Sequence, residues 1–177
     1  MTDTENKQVE MHRDFFDRCE LAIKNGFYLE AILMEYAAIE SRLESICGVL
    51  SLPCGKDCEN RKDIKISSRI ECLRKYRNEN KTVFPRTKLP ETFYTEMGEL
   101  KDWIGQRNRI VHGLYKDEEK YTARMKDCKM LAEKGLEYSR LLYNEAKRIR
   151  RLKKDHSEAF DNVDPCCCVK ACKAYRE

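Results

Sequence analysis

The stretch "QRNRIVHGLY", Gln106 to Tyr115, sets an arginine inside an apolar helical stripe and a histidine five residues after it. At about 100° per residue, Leu100, Trp103, Ile104, Ile110, Val111 and Leu114 share one face of a helix, and Arg107 falls near the centre of that face. A solvated surface arginine has no reason to sit there. The stretch therefore predicts a helix packed along one side that carries a guanidinium against its packed side.

The segments on either side repeat the helical period. Val9, His12, Phe15, Phe16, Cys19, Ala22 and Ile23 predict a helix over about residues 5 to 24, stopped by "KNG" at Gly26. A second runs from about Phe27 to Leu50, with Leu29, Ile32, Leu33, Tyr36, Leu43, Ile46, Cys47 and Leu50 on one face and Pro53 beyond its end. "SLPCGKDCENRK" (51–62) reads as a polar loop, and Ile66, Ile70, Leu73 and Tyr76 mark a shorter helix. Pro85 and Pro90 make "KTVFPRTKLP" an extended linker, after which the motif helix covers about Glu91 to Tyr115. A last helix carries Tyr121, Met125, Cys128, Ala132, Ser139, Leu142, Ala146 and Ile149 towards His156. The expected fold is all-α, about five helices in one domain over 1–158, with a cysteine-rich tail over 159–177.

Composition agrees with this class. Charged residues are 37% and apolar residues 41%, with only 7 Gly and 4 Pro, a balance suited to amphipathic helices and not to a turn-rich sandwich. The net charge of +4 permits a phosphate-bearing partner without demanding one. No apolar run is long enough to span a bilayer and "MTDTENKQVEMHRD" lacks the apolar centre of a signal peptide, so the expectation is a cytoplasmic protein with no membrane partner. Most of the ten cysteines are then expected as reduced thiols. Cys54-x3-Cys58 and Cys168-x3-Cys172 have the pair spacing of a half zinc site, yet lack knuckle glycines, and free thiols are the expectation, with no metal and no cofactor.

Glu40 falls within the stripe of the second helix as Arg107 does within its own, and an isolated buried charge costs several kcal/mol, so pairing the two is the least expensive arrangement. Asn108 and His112, at i,i+4, lie side by side on the flank next to Arg107. Gly105 and Gly113 bracket the motif and predict close backbone approach or a bend there. His12 is read as an ordinary solvated or hydrogen-bonded histidine. "KRIRRLKK", Lys147 to Lys154, is read as a solvated last turn favoured by the helix dipole, with an RNA phosphate track as the alternative.

Arg107-Asn108-Arg109-Ile110-Val111-His112 resembles the Arg-x4-His motif of the HEPN superfamily, including its polar residue directly after the arginine. "FYLEAILMEYAAIESRLESI" is similar to the helix that precedes the motif helix in that family, and the resemblance covers about residues 5 to 150. It implies an all-helical domain that forms a homodimer around a shared cleft and acts on RNA as a metal-independent endoribonuclease, a toxin or defence component with an antitoxin or other protein partner. Arg107, Asn108 and His112 would be catalytic, and Arg109, Glu40 and Tyr115 would contact substrate. One departure stands out: toxins of the nucleotidyltransferase-paired kind carry His-x-Tyr, whereas here His112 and Tyr115 are separated by two residues. The alternative from another class is a catalytically silent HEPN-like module that binds nucleotide, RNA or protein. The chemistry holds together on its own terms, since attack by a 2′-hydroxyl needs a proton acceptor near neutrality and a cation for the phosphorane, which histidine and arginine supply.

Overall fold

The structure is a computed structural model that describes residues 3–50, 52, 65–79, 91–113 and 121–155. Five helices and no strand occur among the described residues: α1 (Asp3–Lys24), α2 (Tyr28–Val49), α3 (Ile66–Glu79), α4 (Glu91–Gly113) and α5 (Tyr121–Asp155). The all-α expectation holds: α1 and α2 fall within a residue or two of their predicted ends, the motif helix begins at the predicted Glu91, and a helix is present at the third and last expected places. The linker over 81–90, the tail over 159–177 and the cysteines at 54, 58, 168 and 172 lie outside the described residues.

The stop at Gly26 has a clear physical cause. Gly26 takes φ +80°, which lets its amide bond Ile23 O at 3.1 Å while the Phe27 amide reaches Ala22 O at 2.8 Å, closing α1 with a paired Schellman cap. The carbonyl of Phe27 then accepts from Ala31 at 3.1 Å, so α2 begins at once. Lys65 plays the same part for α3, its carbonyl accepting from Ser68 and Arg69.

The chain divides into two compact units. The first comprises Met1–Ala38 and Asp102–Ser139, the second Ile39–Lys101 and Arg140–Glu177. The core of the first unit holds Cys19, Ala31, Ile32, Trp103, Ile104, Cys128, Leu131, Ala132 and Leu136. The second unit buries Ile39, Leu43, Ile46, Cys47, Ile70, Leu73, Tyr76, Leu100, Leu142 and Ile149. Four described cysteines (Cys19, Cys47, Cys72 and Cys128) are free thiols buried among these apolar side chains. No helix among the described residues is long and apolar enough to cross a membrane.

Candidate functional site

The motif helix is laid out as its stripe requires. Leu100, Trp103 and Ile104 are buried, while Arg107, Ile110 and Val111 are half-buried. Trp103 is anchored by its indole, whose Nε1 donates to Leu131 O of α5 at 2.7 Å, and its ring stands edge-on to Tyr138 at 6.5 Å. One turn further along α4, the guanidinium of Arg107 lies 4.3 Å over the ring of Tyr36 on α2, and its Nη1 donates to Asn108 Oδ1 at 2.9 Å. Its Nε is buried without a hydrogen-bond partner. The arginine is thus held by an aromatic face and by its neighbouring amide.

Asn108, Arg109 and His112 are exposed. Arg109 Nε approaches Gly105 O at 3.5 Å. Arg107, Asn108, Arg109 and His112 therefore share the last two turns of α4, whereas Tyr115 lies outside the described residues.

Glu40 has another partner. It belongs to the second unit, is about half-exposed, and meets Arg69 of α3, whose Nη1 lies 3.5 Å from Glu40 Oε1. Arg69, only 4% exposed and not singled out by the apolar pattern of its helix, takes the place expected for Arg107. The pairing of Glu40 with Arg107 is corrected accordingly: a half-exposed carboxylate is still solvated and does not require the guanidinium of the motif.

The buried acid of α2 is Glu35. It is 0% exposed, neither carboxyl oxygen has a hydrogen-bond partner, and burial pushes its pKa up to about 9. At neutral pH this side chain is a neutral carboxylic acid. Against it stands Gly135 of α5, where a Cβ would meet Glu35 Oε2 at 2.2 Å and Trp103 Cζ2 at 2.6 Å. The close approach expected at Gly105 and Gly113 is found here instead, since a Cβ at either of those two would meet nothing within 4 Å. One turn beyond Gly135, the Ser139 hydroxyl is also buried without a partner.

A signal for Glu35 was present in the sequence. Ala31, Ile32 and Ile39 flank it at i−4, i−3 and i+4, a spacing that puts it on an apolar face. Reading the larger Leu29, Leu33 and Tyr36 as the stripe turned the face by about one residue, and Leu33 is in fact 43% exposed. Among the described residues no group of three or more His, Cys, Asp and Glu side chains could hold a metal ion.

No protein-family model matches the chain, and no curated protein and no solved structure matches it.

Proposed function

We propose that this chain is a metal-independent endoribonuclease of the HEPN kind, working in the cytoplasm as a homodimer, with a toxin or defence role and an antitoxin or other protein as partner. The observation that supports it best is the end of α4: an exposed imidazole, His112, one turn from the exposed amide Asn108, which is itself bonded to a guanidinium seated on Tyr36. In this reading His112 takes the proton of an RNA 2′-hydroxyl, and that oxygen attacks the adjacent phosphorus. Arg107 stabilises the phosphorane, the 5′-oxygen leaves, and a 2′,3′-cyclic phosphate remains. Asn108 holds Arg107 in place, and Arg109 steers the backbone through its charge.

The test is single-stranded RNA in EDTA. The wild type should leave 2′,3′-cyclic ends and spare DNA, which has no 2′-hydroxyl. His112→Ala should lose roughly a hundredfold or more in rate with its fold kept, because the side chain is exposed.

A second reading has its own support. Arg107 is already engaged by Tyr36 and Asn108 within its own chain, which suits a structural cation in a silent HEPN-like module that binds nucleotide, RNA or protein. A wild type that cuts no RNA at any salt concentration, or cuts at the same slow rate as His112→Ala, would favour that module over the nuclease.

A further inference from the structure

Within the second unit, the C-terminal halves of α2 and α5 run side by side, and three contacts follow one another along them. Arg42 lies 5.4 Å over the ring of Tyr143, Arg150 donates to Ser45 Oγ, and Lys153 Nζ donates to Val49 O at 2.8 Å. Between Arg140 and Asp155 the chain carries seven basic residues against two acidic ones.

Two of those cations have evident structural work. Lys153 caps the negative end of α2, and Arg148 neutralises the buried Glu145. Lys147, Arg150, Arg151 and Lys154 are exposed, and Lys147, Arg151 and Lys154 share one stripe of α5, spaced by about 6 and 4.5 Å along its axis. Arg42 and Arg150 are close enough that burial first, and the charge of Arg150 second, hold Arg42 below its ordinary pKa. Cations gathered on one exposed face raise the local positive potential and attract an anion.

We infer that this face, formed by Arg42, Tyr143, Lys147, Arg150, Arg151 and Lys154, binds the sugar-phosphate backbone of a single-stranded nucleic acid, RNA or DNA alike. The cations follow successive phosphates and the Arg42–Tyr143 stack offers a platform for a base. An acidic membrane surface is a poorer fit, because interfacial binding needs large apolar side chains beside the basic ones. The exposed large apolar residues among those described (Met11, Leu21, Phe27, Leu33 and Met130) all belong to the other unit. The inference does not depend on cleavage.

The experiment uses the full chain and a labelled oligothymidylate of about twelve nucleotides, which the proposed nuclease chemistry cannot cut. Fluorescence anisotropy should show binding that weakens roughly fifty- to a hundredfold as salt rises from about 50 to 200 mM. The double variant Lys147→Glu/Arg151→Glu changes only exposed side chains and should keep its helical circular dichroism while losing roughly tenfold or more in affinity. Tyr143→Leu should weaken binding and leave the salt dependence alone. DNA binding that survives the double variant would overturn the inference, as would no binding at the lowest salt, or capture of acidic phospholipid vesicles through the same residues with none of DNA. Loss of DNA binding in the double variant together with a wild type that cleaves no RNA would sink the nuclease reading and leave this one standing. RNA cleavage with DNA binding indifferent to Lys147 and Arg151 would do the reverse.

Discussion

Two glutamates, one in each unit, are withdrawn from water, and they are treated in opposite ways. Glu145 on α5 is 5% exposed and receives both arms of Arg148, one at 3.0 Å from Nε. Glu35 on α2 is 0% exposed and receives nothing. The difference begins in the local sequence. Glu145 has an arginine at i+3 on its own helix, where the two side chains meet without help from the fold, whereas the positions at i±3 and i±4 from Glu35 are Ala31, Ile32, Ala38 and Ile39. The buried acid with a local cation is bonded to it; the one without a partner becomes neutral, and its pKa rises to about 9.

The largest effect that would break this comparison is on stability against pH. Below pH 4.5 the Glu35 carboxyl is protonated in folded and unfolded chains alike, and its contribution to stability is fully present. Between 4.5 and about 9 the unfolded chain ionises while the folded one stays protonated, so stability is lost with rising pH and levels off above the folded pKa. From about pH 5 to 8 this one group should remove about 4 kcal/mol. Glu35→Gln should lose that dependence, so that its stability relative to the wild type improves steadily across the interval in urea titrations. A difference curve that is flat with pH would mean that Glu35 is ionised in the folded chain.

Next in size is the notch that accommodates Glu35. Gly135→Ala should destabilise by about 2 to 3 kcal/mol despite the gain of about 1 kcal/mol in helix propensity. The added Cβ meets not only a carboxyl but also the Trp103 ring, which the bond to Leu131 O holds in place. Gly105→Ala is the matched control. Its Cβ meets nothing within 4 Å, so thermal unfolding should show no loss and up to about 1 kcal/mol of gain. Equal effects at the two glycines would remove the argument for a close approach.

The smallest effect concerns the paired acid. Arg148→Met keeps much of the apolar stem but strips Glu145 of its donors, and should cost about 2 kcal/mol in denaturant unfolding. A neutral outcome would show that water reaches the Glu145 carboxylate and that the contrast between the two acids is one of depth, not of partners.

Most helix boundaries were legible because they depend on neighbours within a few residues. The cap at Gly26 needs only a residue tolerant of positive φ after the last turn, and the stripe of α5 through Cys128, Ala132, Ser139, Leu142, Ala146 and Ile149 is read directly from its period and is buried throughout. Arg107, Asn108 and His112 were legible as companions on one helix for the same reason. The partner of Glu40 was not. Periodicity reports that a charge lies near an apolar face and says nothing about which other helix covers that face, so Arg69 could not be preferred over Arg107.

What the sequence determined by itself, then, is whatever acts within about four residues: five helices, the stop at Gly26, and the alignment of Arg107, Asn108 and His112. Only the tertiary structure decided that Tyr36 would lie under Arg107, that Glu35 would be the neutral buried acid, and that a close approach would fall at Gly135. The physical reason is one of range. Helical hydrogen bonds and i,i+4 contacts are set by adjacent residues, but the burial of a charge depends on which side chains, distant along the chain, fill the space around it.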